Sequence, residues 1–217
     1  MSNLVACWSC KGPIATPRPA FCPTCKAIQP PDLQLSYFEL FDQPKGFYLD
    51  LQSVEERYRT LQQAFHPDRY ATRSPTEGRF SMEQVTRLNE GLQTLRDPLS
   101  RAGYLLQLEG RSPGDESSGA APSDPAFLME VMELREELES VDLDKENASE
   151  QLDQLRENAA LRIHDEVQGI GDAFEEWYEE NAVGALDSVA LFMDRLRYHR
   201  RYLEEIDQME ERLFDRE

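Results

Sequence analysis

The chain has 217 residues, enough for one or two domains that each bury a modest core. Acidic side chains outnumber basic ones by 42 to 23, and the formal net charge of −19 argues against nucleic acid as a partner, because a chain this acidic repels a phosphate backbone. No apolar run approaches the roughly 20 residues that span a bilayer, and the first residues have neither a secretory nor an organellar leader pattern, so we expect a cytoplasmic protein without membrane association.

The negative charge is concentrated in the C-terminal half of the chain. Residues 124–217 contain 28 acidic and 10 basic side chains, a net charge of −18, whereas residues 36–110 contain 11 and 9, a net charge of −2. A stretch rich in Gly, Ser and Pro at 111–123 lies between these regions and is typical of a flexible linker. We therefore predict a cysteine-containing segment at 1–30, a domain at 36–110, a linker at 111–123 and a second domain at 124–217.

All four cysteines lie in two C-x2-C pairs, Cys7 with Cys10 and Cys22 with Cys25. Two thiolates two residues apart can bind one metal ion, and two such pairs complete the tetrahedral thiolate site typical of structural zinc. We predict a zinc ion with these four ligands, because zinc would stabilise a segment too short to bury a core of its own. Iron and a pair of disulfides are the alternatives, and a reducing compartment disfavours the disulfides.

Four helices are predicted in the domain at 36–110. Ser36 begins a short helix, residues 50–65 and 76–95 form two long ones, and Asp97 caps a fourth. Apolar residues recur at three- and four-residue steps in both long helices, which predicts one buried face on each. Those residues are Leu51, Val54, Tyr58, Leu61 and Phe65 in the first long helix and Phe80, Val85, Leu88, Leu92 and Leu95 in the second.

The tripeptide His66-Pro67-Asp68 separates the two long helices. Proline has no backbone donor and disfavours a helical conformation of the residue before it, so the tripeptide predicts the tip of a helical hairpin. An imidazole and a carboxylate would point outward from that tip. The tripeptide alone could occur by chance, with His66 simply capping a helix. Its interpretation therefore depends on the residues around it.

That setting resembles the J-domain of DnaJ-type co-chaperones, in which His-Pro-Asp joins two helices and triggers ATP hydrolysis by a DnaK-type partner. Residues 37–41, Tyr-Phe-Glu-Leu-Phe, resemble the start of the first J-domain helix. Asn89 and residues 95–106 resemble the J-domain end in one family in particular, the HscB family of co-chaperones of iron–sulfur cluster assembly. Some relatives of this family also have a tetracysteine segment.

The resemblance implies which residues contact the chaperone. His66, Pro67 and Asp68 would do so directly. In the family a basic face of the second helix docks on an acidic patch of the chaperone. The matching positive charges are sparse in this chain, namely Arg57, Arg59 and, after the tripeptide, Arg69.

Asp124-Pro125 begins the next predicted helix, and residues 126–138 also resemble HscB. Phe127, Val131, Leu134, Leu138 and Val141 form one buried stripe. Three apolar residues lie beside this stripe, and periodicity alone leaves open whether they are buried or exposed. The resemblance implies an exposed face that binds the iron–sulfur scaffold protein IscU, consisting of Leu128, Met129, Met132, Glu133, Glu136 and, from the last helix, Tyr198.

Two long helices complete the predicted second domain, at 143–180 and 186–214. The predicted fold is therefore all-α, with a J-domain helical hairpin and a C-terminal three-helix bundle, preceded by the small tetracysteine zinc segment. His164 and His199 read as surface or boundary residues.

The predicted function is that of an HscB-type co-chaperone, which stimulates an HscA- or DnaK-type ATPase and delivers IscU for cluster transfer. We expect no enzymatic activity, because no Ser or Cys nucleophile has a recognisable spacing to His66 and Asp68 and there is no glycine-rich phosphate loop. Two alternatives remain. One is a J-domain co-chaperone with a different client, and the other is a metal–thiolate redox protein with a helical tail.

Overall fold

The structure is a computed structural model that describes residues 4–112, 124–182 and 184–215. The predicted linker at 111–123 therefore lies almost wholly outside the described residues. The chain divides into two compact units, Met1–Arg101 and Ala102–Glu217. Within the described ranges no helix is long and apolar enough to cross a membrane.

The first unit begins with a small antiparallel sheet. Strand β1 (Leu4–Ala6) pairs with β2 (Pro13–Ala15), with Val5 opposite Ile14. The first cysteine pair lies in the turn between these strands, and the second follows β2. Both turns use the same backbone device, because the fourth residue after the first cysteine, Lys11 in one turn and Lys26 in the other, has a φ of 60° and donates its N–H to that cysteine's carbonyl.

The helical part of the first unit contains α1 (Tyr37–Leu40), α2 (Leu51–Phe65), a 3₁₀ turn (Pro67–Tyr70) and α3 (Pro75–Arg96). The predicted caps are present: Ser36 forms a capping box with Glu39, and the Asp50 carboxylate accepts from the backbone of Gln52 and Ser53. The caps therefore fix where α1 and α2 begin.

The packing of α1 on α3 depends on a glycine. A Cβ at Gly91 would lie 2.9 Å from ring atoms of both Tyr37 and Phe41, so only glycine allows these two rings to cover α3 at this point. Helix α4 (Pro98–Leu108) follows Asp97, whose carboxylate accepts the N–H of Ser100 at 2.8 Å.

The second unit contains the end of α4 and three further helices, α5 (Pro125–Glu139), α6 (Ala148–Glu180) and α7 (Ala185–Phe214). The apolar stripe predicted for α5 is confirmed, because all five of its residues are buried. One core cluster joins α5, α6 and α7 and consists of Leu134, Leu138, Val141, Ala148, Leu152, Leu155, Ala159, Tyr202 and Ile206. The predicted all-α fold class is confirmed.

Helix α6 differs from the prediction at its start. It begins at Ala148 rather than near residue 143, because Asp142 folds the preceding chain into a turn by accepting the N–H groups of Asp144 and Lys145. It then continues through Gly169 without a break. A Cβ on Gly169 would lie 2.6 Å from the Phe192 ring, so this glycine serves the close approach of α7 rather than a bend.

Candidate functional site

The His66-Pro67-Asp68 tripeptide lies at the tip of the hairpin formed by α2 and α3, as predicted. His66 ends α2 with extended backbone (φ −53°, ψ 127°), and Pro67 opens the 3₁₀ turn. The side chains of His66 and Asp68 are 51% and 91% exposed. The Nδ1 atom of His66 accepts the N–H of Asp68 at 3.3 Å, which leaves Nε2 to carry the proton of the neutral ring. The tip thus presents an imidazole donor and a carboxylate on one surface.

The last three carbonyl groups of α2 have no helical N–H to accept because the helix ends at Phe65, and side chains beyond the helix satisfy them. Arg69 donates to the carbonyl of Gln63 at 3.1 Å, and the Tyr70 hydroxyl donates to that of Ala64 at 3.2 Å. The buried Ser81 hydroxyl, from α3, donates to the Phe65 carbonyl at 2.5 Å. These bonds fix the turn to both long helices.

The three arginines of the predicted chaperone surface all have partners within the first unit. Arg57 forms an ion pair with Asp42 at 2.9 Å, and Arg59 forms one with Glu55 at 3.1 Å. Arg69 is exposed but uses its guanidinium to cap α2. All three lie on the hairpin. Because two of them are paired with carboxylates, the positive potential of the hairpin surface is weaker than three free arginines would produce.

The four cysteine sulfurs form one cluster. All four Sγ atoms lie within 4.8 Å of one another, Cys7 and Cys25 at 3.7 Å and Cys10 and Cys22 at 3.8 Å. Zinc–sulfur bonds of about 2.3 Å would place the corners of a regular thiolate tetrahedron about 3.8 Å apart. A disulfide requires an S–S distance of about 2.05 Å, so the cysteines are free thiols. The geometry fits a single tetrahedral metal ion, and Cys7 and Cys22 are its buried ligands.

The backbone around the cluster favours thiolates. Burial acts to raise the pKa of Cys7, but hydrogen bonds from the backbone N–H groups of Cys10 and Ser9, together with the sulfur contacts to Cys22 and Cys25, outweigh it and lower this pKa to about 6. The N–H groups of Cys25 and Thr24 lower the pKa of Cys22 in the same way. The N–H of Gly12 acts to lower the pKa of Cys10, but the contact of Cys10 with Cys25 and burial outweigh this and raise that pKa to about 11. Since the thiolate is the form that binds metal, each turn favours the ligand form of its first cysteine, Cys7 or Cys22.

The tetracysteine segment, described here over residues 4–30, packs against the hairpin. Phe21 contacts Phe65 with 5.6 Å between ring centroids, and Trp8 meets Phe80 edge-on at 5.7 Å. The buried Gln84 of α3 donates its side-chain amide to the carbonyl of Gln29 at 3.0 Å. Sequence reasoning missed these contacts, although Gln84 is a polar residue within the buried face of α3, a signal that could have indicated a buried hydrogen bond.

The face predicted to bind a scaffold lies on the outside of α5. Leu128, Met129 and Met132 are 39%, 65% and 56% exposed, and Glu133 and Glu136 are exposed beside them. The opposite side of α5 is held to its neighbours by ion pairs, Glu130 with Arg162 at 2.8 Å and Asp124 with Arg195 at 2.5 Å. The three apolar side chains are therefore a surface patch and not part of the core.

Tyr198, predicted as part of this face, packs against the buried stripe of α5 and the core cluster of the second unit. Its ring packs edge-on against Phe127, and its hydroxyl donates to the Val131 carbonyl at 3.3 Å. Burial raises the pKa of the Tyr198 hydroxyl.

The neighbouring His199 is fully buried, with Nε2 3.7 Å from the carboxylate of Glu166, so the expectation that it lies at the surface or boundary is wrong. His199 lies three residues after the buried Leu196 and three before the buried Tyr202, so its helical spacing could have indicated burial.

Known proteins resemble the chain over most of its length. The family model of the HSCB C-terminal oligomerisation domain matches residues 123–207. The human iron–sulfur cluster co-chaperone protein HscB is 35% identical over 193 residues, covering 88% of this chain and 79% of the human protein. The HscB homolog of Arabidopsis thaliana is 32% identical over 200 residues, covering 92% and 72%. The crystal structure of human HscB superposes with a TM-score of 0.82 at 30% identity, covering 95% of this chain and 98% of that one.

The structural match covers 95% of this chain, and the family model covers most of the C-terminal bundle. The likeness in sequence and the likeness in structure agree. The chain belongs to the HscB family of iron–sulfur cluster co-chaperones.

Proposed function

We propose that this protein stimulates ATP hydrolysis by an HscA- or DnaK-type chaperone through the His66-Pro67-Asp68 turn. The observation that carries the proposal is the exposure of this turn at the tip of a hairpin, with the carbonyl groups behind it already satisfied. Arg57 and Arg59 on α2 and Arg69 in the turn supply positive charge, which the ion pairs of Arg57 and Arg59 weaken. Stimulation is then a coupling free energy across a protein interface, and the protein acts on another protein's active site without catalytic groups of its own.

Single-turnover ATP hydrolysis by candidate chaperones tests this proposal. The wild-type protein is expected to accelerate the reaction, and His66→Gln is expected to abolish the acceleration, because glutamine keeps polarity but not the imidazole. His164→Gln is the matched control, since His164 is exposed on α6, in the second unit. Equal stimulation by His66→Gln would contradict the proposed role of the turn.

The proposed cargo is an iron–sulfur scaffold protein of the IscU type, bound by the outer face of α5. An exposed patch of one leucine and two methionines is costly to leave in water, and methionine adapts well to a partner surface. Glu133 and Glu136 extend the face with negative charge, and Tyr198 is a further proposed contact. Because both interfaces are in one chain, binding of the scaffold raises its effective concentration near the chaperone.

A pull-down with purified scaffold separates the two interfaces. We expect Leu128→Ala/Met129→Ala/Met132→Ala to lose scaffold binding and to retain ATPase stimulation in the absence of scaffold, and His66→Gln to show the reverse. Leu161→Ala is the control, since Leu161 is a leucine on α6 that is 63% exposed. Failure of the wild-type protein to bind scaffold would leave a J-domain co-chaperone with a different client.

We propose zinc as the metal bound by Cys7, Cys10, Cys22 and Cys25, in support of which the sulfur spacing matches a tetrahedral thiolate site. When bound, it cross-links the two turns and supplies no chemistry of its own. Metal analysis is expected to find one zinc per chain and no visible absorbance. An iron–thiolate band with redox cycling would instead favour a redox protein.

The proposed compartment is the cytoplasm, where free cysteines such as these are the rule.

A further inference from the structure

We propose that the tetracysteine segment positions the His66-Pro67-Asp68 turn, and that Phe21 and Trp8 are its positioning residues. The proposal deepens the proposed function and rests on it, because the positioned turn is the one that would stimulate the chaperone. It assigns the segment a task beyond its own stability, namely to fix the end of α2 from the side opposite the exposed tip.

The shortest connection runs through two aromatic rings. Phe21 directly precedes the buried ligand Cys22 and is held by a β-bridge to Ile28, which closes the second cysteine turn. Its ring lies 5.6 Å from that of Phe65, which is 1% exposed and directly precedes His66. The metal ligand Cys22 therefore follows one ring of this contact in the chain, and His66 follows the other.

A second connection starts at the other cysteine turn. Trp8 follows Cys7, and its indole N–H donates to the Ile28 carbonyl at 2.7 Å while its ring meets Phe80 on α3. The next residue of α3, Ser81, is the donor to the Phe65 carbonyl. Both cysteine turns thus reach Phe65, one through its ring and the other through its backbone.

A hydrogen-bonded connection runs beside these. Gln29 is 1% exposed and donates its side-chain amide to Cys7 Sγ at 3.5 Å and to the Ala27 carbonyl at 2.9 Å. Its own backbone carbonyl accepts from Gln84 of α3. A bound ion keeps the sulfurs together, so it also fixes Gln29, Phe21 and Trp8 relative to α3. Without it, the described part of the segment relies on two three-residue strands, the bridge between Phe21 and Ile28 and the hydrogen bonds of its turns.

The test uses full-length Phe21→Ala, with Leu33→Ala as matched control because Leu33 is 72% exposed. The chain has three histidines, and only His66 lies in the first unit, so the imidazole NMR signals report on the turn directly. We expect Phe21→Ala to shift the His66 signals and to raise the concentration for half-maximal ATPase stimulation about three- to tenfold, the range of one aromatic pair. Zinc content, scaffold binding and the His164 and His199 signals should not change, and Phe21→Tyr should restore the wild-type values.

A second variant and the removal of zinc show whether the effect of Phe21→Ala arises only from misfolding of the segment. Gln84→Ala leaves both cysteine turns intact and is expected to shift the His66 signals in the same direction. Removal of zinc by a chelator is expected to shift them as well, with the loss followed by metal analysis. Unchanged His66 signals and unchanged half-maximal concentration in zinc-loaded Phe21→Ala would overturn the proposal. If the wild-type protein stimulates no chaperone, the proposed function fails, whereas the NMR comparison still decides whether the segment positions the turn.

Discussion

Phe65 is the residue at which contacts from three segments meet. The Phe21 ring packs against its side chain, the Ser81 hydroxyl binds its carbonyl, and His66 follows it in the chain. The bond from Ser81 is buried, so its acceptor has no access to water when the donor is removed. A single hydroxyl group therefore joins α3 to the end of α2.

We expect Ser81→Ala to weaken the packing of α2 on α3 by about 1–3 kcal/mol, the cost of leaving a buried acceptor without its partner. Amide hydrogen exchange in α2 measures this change as a faster local opening. Thr86→Ala, at an exposed position of the same helix, should leave exchange unchanged or slower because alanine is the better helix former. Equal protection in Ser81→Ala and wild type would show that the bond contributes nothing to the turn.

The exposure of His66, Pro67 and Asp68 was predictable from the sequence. Proline has no backbone N–H and disfavours a helical conformation of the residue before it, so the tripeptide has to lie between the two helices, at the tip of the hairpin. The partners that hold the turn were not predictable. Phe21 and Phe65 are 44 positions apart in sequence numbering, and neither has a local pattern that indicates the other. The burial of His199 could have been predicted from its spacing, because it lies three residues after Leu196, but a polar side chain argues against a core position.

At the scale of helices, periodicity and capping residues gave most of the architecture. The stripe of α5 and the caps at Ser36, Asp50 and Asp124 are where the sequence predicts them. The stripes of α2 and α3 are buried only in part, and Leu51, predicted to be buried, is exposed at the start of α2. The exposed patch on α5 could not be decided by periodicity, because a helix in a bundle can bury a wide arc. The start of α6 was misplaced because an apolar residue, Leu143, lies within the turn that precedes it.

The contact between α6 and α7 at Gly169 makes a prediction for these two helices. Gly169→Ala should destabilise the second unit by about 1–3 kcal/mol, because the new methyl group would have to displace the Phe192 ring. Combining it with Phe192→Leu should recover part of the loss, which thermal unfolding of single and double variants can measure. Strict additivity of the two changes would show that the ring is not the obstacle.

The start of α5 makes a prediction about pH. The side chain of Arg195 and the N–H of Ala126 lower the pKa of Asp124 below its ordinary value of about 3.8. A carboxyl group whose pKa is lowered by folding stabilises the folded state above its unfolded pKa, and this contribution is lost as the pH falls through the folded value. We therefore expect α5 to loosen in acid, below about pH 4.

Asp124→Asn tests this sign, because asparagine keeps the helix cap but removes the charge. At neutral pH the variant should show faster amide exchange in α5 than wild type, and the difference should vanish in acid. A difference that persisted unchanged to low pH would contradict the assignment to this carboxylate.

At the scale of the whole molecule, charge separates the two halves of the chain. Residues 124–217 have a net charge of −18, and residues 36–110 one of −2. The negative electrostatic potential of residues 124–217 attracts a basic partner from a distance at low ionic strength. It is screened at physiological salt, where the Debye length is about 8 Å.

We therefore predict that the association rate with the scaffold falls steeply between roughly 10 mM and 150 mM salt, while the dissociation rate changes little. Stopped-flow measurement of both rates distinguishes this from a purely apolar interface. Glu133→Gln/Glu136→Gln should flatten the salt dependence. An association rate independent of salt would show that the acidic bundle does not guide its partner.

The side-chain caps on α2 also bear on how a chaperone recognises the turn. Arg69, Tyr70 and Ser81 hold the three final carbonyl groups of the helix in one arrangement before any partner arrives. Immobilising a flexible residue costs about 1–2 kcal/mol, and a chaperone docking here meets residues for which that entropy has already been lost during folding. The surface is thus preorganised, and recognition of so small a motif can be both rapid and selective.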